Sequence, residues 1–216
     1  MVELVADNIT KVIKSKKVLD QINLKLEGGN VYGFVGRNGS GKTMLIRMLA
    51  GLIHPSEGKV LYNGKQVHKE IAYVPNLGVV IENIGLYPEF TGYQNLMFLA
   101  KINNQIGKKE IEEAITRVGL DPFDKRNFGK YSLGMKQRIV LAQAFMEKPD
   151  IILLDEPTNA LDESGVDLIR SIILEEKKRG ALVVVASHNK QDIDLLCDSV
   201  YYLRDGKLVD QVGVTE

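Results

Sequence analysis

Apolar residues occur along this chain in two patterns, which predict two kinds of β-strand. Residues 31–35, 151–154 and 182–186 are apolar without interruption, as expected for strands of a parallel sheet that is covered on both faces. Residues 18–26 include a stretch in which apolar and polar side chains alternate, which is typical of a strand with one face in solvent. We therefore predict three buried parallel strands and one half-exposed strand, together with a further strand over residues 4–9.

Between residues 88 and 146 the apolar spacing is that of helices. Thr91 and Gln94 have the spacing of a capping box, which marks the start of a helix. Two more apolar stripes at helical spacing are Ile111, Ile115 and Val118, and Met135, Ile139, Ala142 and Met146. Because strands are predicted on both sides of this segment, we expect an α/β sheet core with one inserted helical lobe.

An eight-residue run joins the first buried strand to an apolar segment, residues 44–50, that is typical of a buried helix. Glycines let successive backbone N–H groups turn toward a phosphate, a lysine adds positive charge, and a threonine hydroxyl can bind Mg²⁺. The run matches G-x-x-x-x-G-K-[ST] with a strand before it and a helix after it, so it predicts a site for a nucleoside triphosphate and Mg²⁺. Its residues are Gly36, Arg37, Asn38, Gly39, Ser40, Gly41, Lys42 and Thr43.

Two acidic residues, Asp155 and Glu156, follow the buried strand at residues 151–154. A carboxylate held at the end of such a strand can bind Mg²⁺ directly or through a water ligand. Glu156 is placed to polarise an attacking water as a general base. The alternative interpretation, a solvated acidic turn, is disfavoured by the sequence Pro-Thr-Asn-Ala-Leu-Asp at residues 157–162.

Composition limits the class of protein. Lys and Arg together number 28, as do Asp and Glu, so the net charge of zero gives no electrostatic signature of a nucleic-acid or anionic-membrane partner. Cys197 is the only cysteine, which excludes an intrachain disulfide and favours a reducing compartment. The sequence lacks an apolar run of the ~20 residues that span a bilayer, and its start lacks the pattern of a signal peptide. We therefore expect a soluble cytoplasmic protein whose membrane-spanning partner, if it drives transport, is another polypeptide.

A third run, Tyr-Ser-Leu-Gly-Met-Lys-Gln-Arg at residues 131–138, suggests the family. With the phosphate loop before it and Asp155-Glu156 after it, the chain resembles the ATP-binding subunits of ABC transporters. In that family a Leu-Ser-Gly-Gly-Gln-like signature opens a helix. Ser132 and Gly134 match the signature, whereas a leucine and a methionine replace a usual glycine and glutamine. His188 matches the family's switch histidine.

This resemblance extends from residue 4 to about residue 209 and carries specific implications. The fold implied is a P-loop NTPase with an ABC-type ATP-binding core and antiparallel β-subdomain (residues 1–87 and 147–216) and a helical lobe (residues 88–146). Two subunits would close head to tail around two Mg·ATP, with Ser132 and Gly134 of each meeting the γ-phosphate held by the other. Catalysis would involve Lys42, Glu156 and His188.

The partners implied are a second ATP-binding subunit, identical or different, and a separate integral-membrane permease that holds the chain at the cytoplasmic face of the membrane. No nucleic acid is expected.

The main alternative is a soluble ABC ATPase that acts on a ribosome, on DNA or on a protein assembly. The short interval between Thr43 and Ser132 has no coiled-coil insertion, and the chain has one cassette where translation-type members generally have two. A small-molecule kinase with a P-loop is disfavoured by the signature.

Two positions depart from the family pattern. The aromatic residue that stacks on adenine aligns with Ile13, and Val18 is a second candidate contact. The glutamine that links the Mg²⁺ site to the permease is replaced by Asn76, after residues 71–74, or by Glu82, after residues 79–81. The distance to the following Leu-Tyr-Pro favours Glu82. A glutamate there resembles bacitracin- and lantibiotic-type peptide-antibiotic export or immunity transporters, as does the Ser-Leu-Gly-Met signature.

Overall fold

The computed structural model describes residues 1–81 and 85–213 of the chain. Within those residues the strands are β1 (Glu3–Ile13), β2 (Lys16–Glu27), β3 (Val31–Val35), β4 (Glu57–Tyr62), β5 (Lys65–Gln66), β6 (Leu77–Val80), β7 (Ile151–Asp155), β8 (Leu182–Ala186), β9 (Ser199–Arg204) and β10 (Lys207–Gly213). The helices are α1 (Lys42–Leu49), α2 (Gly92–Asn103), α3 (Lys108–Arg117), α4 (Leu133–Phe145), α5 (Glu163–Arg179) and α6 (Lys190–Leu196), with a short 3-10 helix at Phe128–Lys130.

The central sheet has six strands in the order β10-β9-β3-β8-β7-β6. Neighbouring strands from β9 to β6 are parallel, and β10 pairs antiparallel with β9. The three uninterrupted apolar runs are β3, β7 and β8, and every residue of β7 and β8 is buried. The prediction of buried parallel strands is therefore confirmed.

Both faces of the central sheet are covered, and this explains the uninterrupted apolar runs. Ile152 and Leu154 of β7 pack in one hydrophobic core together with residues of α2, α3, α4 and α5. Ile151 and Leu153 of the same strand face a second core, formed with α1 and the four-stranded sheet. Side chains still alternate between the two faces, as they must in any strand, but each face is apolar.

The second sheet is antiparallel, with the order β2-β1-β4-β5. Its first strand is longer than residues 4–9 because it pairs with β2 as far as Ile13, which lies opposite Lys16. A tight hairpin joins β4 to β5, and its two central residues, Asn63 and Gly64, both have positive φ angles, 48° and 78°. Two positive φ angles at the centre of a two-residue loop match the twist of the flanking strands.

The helical segment begins with the predicted capping box. The Thr91 hydroxyl accepts a hydrogen bond from the backbone N–H of Gln94, and the Gln94 side chain accepts one from the backbone of Thr91. This segment, with α2, α3 and α4, lies between β6 and β7 in the chain. The fold class is confirmed: a mixed α/β core with an antiparallel sheet and a helical insertion. The domain limits at residues 88 and 146 stay a prediction.

The proposal that residues 71–74 form a strand ahead of the helical lobe is wrong. Ile71 makes only an isolated bridge, to Val67, and the strand in this part of the chain is β6. Asn76 comes directly before β6, and its side-chain amide donates to the carboxylate of Asp150, directly before β7, at 2.8 Å. Since β6 and β7 are parallel, Asn76 lies at the end of the sheet opposite Asp155.

Asn76 is therefore excluded as the residue that links the Mg²⁺ site to the permease. The other candidate, Glu82, lies outside the described residues, and its assignment stays a prediction. Across residues 1–81 and 85–213, no helix is both long and apolar enough to cross a membrane.

Candidate nucleotide site

A cavity of about 650 Å³ opens beside the loop that joins β3 to α1. The start of β2, the end of β7 and the turn between β9 and β10 complete its walls. Eight of the residues that the sequence nominated line it: Val18, Asn38, Gly39, Gly41, Lys42, Thr43, Asp155 and Glu156. The phosphate loop and the acidic pair, more than a hundred residues apart in sequence, thus meet at one site.

The phosphate loop presents an uncapped helix end to this cavity. Gly41 is the N-cap of α1 and has a φ angle of 111°, a left-handed conformation that favours glycine. A Cβ atom at this position would also come within 2.9 Å of the Leu19 side chain. No side chain caps α1, and its first turn has no acidic residue. The first backbone N–H groups of the helix are thus suited to an anion such as a phosphate group.

Lys42 extends across the phosphate loop. Its ammonium donates to the backbone carbonyl of Gly36 at 2.7 Å and to that of Arg37 at 3.4 Å, and the residue is only 7% exposed. The loop is anchored from the other side, because the N–H of Gly206 donates to the carbonyl of Ser40 at 3.0 Å. These contacts hold a positive charge and a ring of N–H donors close together.

Thr43 and Asp155 supply two oxygen ligands of the kind that Mg²⁺ prefers. The Thr43 hydroxyl donates to a carboxylate oxygen of Asp155 at 2.5 Å. Asp155 is the last residue of β7 and is 5% exposed, so its carboxylate is held rigidly at the carboxyl end of the sheet. The hydroxyl and carboxylate pair fits a Mg²⁺ ion whose other ligands come from phosphate and water.

Glu156 has a constrained backbone and a polar partner. Its φ angle is 50°, a conformation that costs a residue with a side chain on the order of 1–3 kcal/mol and that clusters at functional sites. Its backbone N–H donates to the carbonyl of Ala186 at the end of β8. The carboxylate lies 2.9 Å from Nδ1 of His188. The structure therefore brings the proposed general base and the proposed switch histidine into contact.

The signature residues lie elsewhere on the surface. Ser132 caps α4, where its hydroxyl accepts from the N–H of Met135 at 3.2 Å, and it is exposed. Two contacts attach α4 to the loop after β7: Arg138 with Asp162 at 2.8 Å, and the Gln137 amide with a backbone carbonyl at 3.1 Å. Neither Ser132 nor Gly134 is among the described residues that line the 650 Å³ cavity. The structure does not bring them to the phosphate loop of their own chain.

The two residues proposed to contact adenine lie at different places relative to the cavity. Val18 lines the cavity, whereas Ile13 lies at the end of β1, 41% exposed, opposite the cavity residue Lys16. Sequence reasoning missed several lining residues: Lys16, Lys17, Met44, Arg47, Asp205 and Gly206. Met44 and Arg47 lie in the segment predicted as a helix. The other four lie at a charged hairpin tip and in a turn, which are common features of exposed loops.

Cys197 is the only thiol and takes no part in this site. It is 6% exposed, and burial raises its pKa to about 12. A thiol with so high a pKa stays protonated and is a poor nucleophile. Cys197 is therefore a buried structural residue.

The fold and the site together define a P-loop nucleoside triphosphatase. The family model described as ABC transporter matches residues 19–159. The uncharacterized ABC transporter ATP-binding protein YybJ of Bacillus subtilis is 49% identical over 93% of this chain and 92% of its own length. The bacitracin transport ATP-binding protein BcrA of Bacillus licheniformis is 38% identical, over 95% of this chain and 68% of its own length.

Among solved structures, the dimeric bacterial ABC transporter cassette MJ0796 superposes with a TM-score of 0.88 at 25% identity, over the full length of both chains. This chain therefore belongs to the ABC transporter family, as an ATP-binding subunit that hydrolyses ATP with Mg²⁺ to drive transport. The resemblance inferred from the motifs is confirmed, and the transporter subunit is favoured over the soluble ABC ATPase.

Proposed function

We propose that this chain binds and hydrolyses Mg·ATP in the cavity at the phosphate loop, in a dimer, and so powers outward transport of a peptide antibiotic. The permease is a separate membrane protein that holds the chain at the cytoplasmic face. One observation carries the proposal. The uncapped end of α1, the Thr43–Asp155 pair and Glu156 meet at one cavity, and His188 contacts Glu156.

Each group has a role that follows from its chemistry. The N–H groups of residues 36–43 and the ammonium of Lys42 hold the triphosphate. Thr43 and Asp155 hold Mg²⁺, which when bound neutralises charge on the phosphate oxygens. Glu156 takes a proton from the attacking water, and such a general base typically contributes ~10²–10⁴-fold in rate. His188, at 2.9 Å from Glu156, orients that carboxylate and contacts the γ-phosphate.

A second subunit completes each site. Ser132 is exposed and does not reach its own chain's cavity, which is what a residue that serves the opposite subunit requires. We propose that Ser132 and Gly134 meet the γ-phosphate bound by the partner, where the end of α4 adds its N–H groups. Val18 and Ile13 contact adenine, and Glu82, which follows the segment containing β6, links the Mg²⁺ site to the permease.

The cargo class follows from the relatives. BcrA, which this chain matches over most of its length, is named for bacitracin transport. A peptide antibiotic that acts outside the cell is cleared by outward transport, so export is the direction proposed here.

The catalytic part of the proposal is tested by Glu156→Gln. The amide keeps the shape of the side chain but cannot take a proton, so ATP affinity should be retained while turnover falls by about 10²–10⁴-fold. Glu163→Gln, in the first turn of α5 and exposed, is a matched control that should leave turnover unchanged. Wild-type turnover in Glu156→Gln would remove Glu156 as the base.

The transport part is tested by tagging this chain in its native cells, solubilising membranes gently and identifying copurifying proteins by mass spectrometry. We expect a stoichiometric integral membrane protein, and deletion of this chain should sensitise cells to a peptide antibiotic. Ribosomal proteins or a soluble assembly in place of a membrane protein would contradict the proposal.

A further inference from the structure

A buried ion cluster lies beneath the proposed catalytic residues. Asp192 of α6 is fully buried, at 0% exposure. One carboxylate oxygen accepts from the Thr158 hydroxyl at 2.6 Å, and the other accepts from Nε and Nη2 of Arg170 at 2.8 and 2.6 Å. Both oxygens therefore have partners, which is the condition for keeping a carboxylate charged inside a protein.

The cluster joins the two loops that carry the catalytic groups. Thr158 comes two residues after Glu156, and Asp192 comes four residues after His188. At the surface the same two loops meet through the 2.9 Å contact between Glu156 and His188. The covalent chain and the two contacts thus form a closed ring. One contact is buried, and the other is at the surface beside Glu156, which lines the cavity.

The surface link between the two side chains is exposed. His188 has a side chain that is 64% exposed, and Glu156 has a left-handed backbone at φ 50°. An exposed side chain contact contributes little by itself. A misplacement of about 1 Å at reacting groups costs on the order of 10²-fold in rate.

We propose that Asp192 is a positioning residue for ATP hydrolysis: through the Thr158 hydroxyl it sets the distance between Glu156 and His188. This inference rests on the proposed function, since it assigns Glu156 and His188 to the reaction. Arg170 pairs with the other carboxylate oxygen of Asp192 at 2.6 Å and so offsets its charge inside the protein.

The test substitution is made at Thr158, because Asp192→Asn would leave Arg170 without its buried counter-charge. Thr158→Val removes the hydroxyl at nearly constant volume, and Thr158→Ser retains it. We expect kcat for ATP to fall about 10- to 100-fold in Thr158→Val, with KM close to wild type, and to recover in Thr158→Ser. The melting temperature should also fall in Thr158→Val, because a buried carboxylate oxygen of Asp192 loses the Thr158 hydroxyl as its donor. Asp167→Asn is the control, because it removes only the exposed 3.3 Å contact of Arg170.

A purely structural role predicts a fall in melting temperature without the fall in kcat. Thr158→Val would then lower the melting temperature and leave kcat of the folded fraction unchanged, which would overturn the inference. A double-mutant cycle gives a second readout. If Thr158 acts through the Glu156–His188 contact, adding Thr158→Val to His188→Ala should cause no further loss of kcat. Full, multiplicative losses in the double variant would also overturn it.

The same assay separates this inference from the proposed function. Wild-type turnover in Glu156→Gln and in His188→Ala would refute the assigned roles and the inference with them. Loss of turnover in those two variants with wild-type kcat in Thr158→Val would refute the inference alone.

Discussion

Ion pairs between α3 of the helical segment and α5 of the core predict how much stability is lost when one partner is removed. Arg117, the last residue of α3, pairs with Glu176 of α5 at 2.6 Å, and the Glu176 side chain is 3% exposed. Arg179 also pairs with Glu176, at 2.7 Å. Arg117 makes a further contact with Glu175, which is 61% exposed. The perturbation is Arg117→Met, which keeps an unbranched apolar side chain but removes the guanidinium, whose carbon lies 5.8 Å from the centre of the Phe145 ring.

The loss of stability expected in Arg117→Met depends on the ion pair that Glu176 keeps. Removing one partner of a buried ion pair costs about 3–5 kcal/mol when the other charge is left alone. Here Arg179 still pairs with Glu176, so the loss is close to one charged hydrogen bond, about 1.5–3 kcal/mol. The exposed contact with Glu175 adds less than about 1 kcal/mol. For a chain of this size the melting temperature should fall by about 3–16 °C.

Differential scanning calorimetry of the purified chain measures this shift. Lys109→Met is the matched control on the same helix, because Lys109 pairs with Glu113 at 3.8 Å and both side chains are largely exposed, at 84% and 61%. Its loss should cost less than about 0.5 kcal/mol. If Arg117→Met shifts the melting temperature no more than Lys109→Met does, the buried pair does not stabilise the junction and the reasoning is refuted.

Three further predictions concern the site. Lys42→Ala should raise the Kd for ATP roughly 10- to 150-fold, which corresponds to the loss of one charged hydrogen bond, and should change the Kd for AMP little. Unchanged ATP affinity in calorimetric titration would contradict the phosphate-loop assignment. Ser132→Arg should abolish ATP turnover while each chain still binds nucleotide, and turnover that survives would mean that one chain suffices. Ile13→Tyr should lower the Kd for ATP about 2- to 10-fold by stacking on adenine; an unchanged Kd in the same titration would place the base elsewhere.

The elements that could be predicted are those whose causes are local. The buried strands were predictable because apolar runs of four or five residues with turn residues on either side are typical of covered parallel sheets. The capping box at Thr91 was predictable from its spacing, and the hairpin at Asn63 from its turn residues. The phosphate loop was predictable from its own residues and from its neighbours, because its glycines and Lys42 lie between a predicted strand and a predicted helix.

The features that could not be predicted depend on tertiary contacts. Residues 71–74 are about as apolar as β6, and only the pairing of β6 with β7 decides which of the two is the strand. The link between Thr158 and Asp192 joins residues 34 apart in sequence and has no motif of its own. Likewise, nothing in the turn at Asp205 indicated that it borders the nucleotide cavity.

The central claim is that two chains form each ATP site, and light scattering on a size-exclusion column tests it most directly. Glu156→Gln with Mg·ATP should elute as a dimer of about 48 kDa, twice the 24.1 kDa of one chain, and as a monomer with ADP. The double variant that also carries Ser132→Arg should stay at 24.1 kDa with ATP. A monomer in Glu156→Gln with Mg·ATP, or a dimer that persists despite Ser132→Arg, would contradict the composite site.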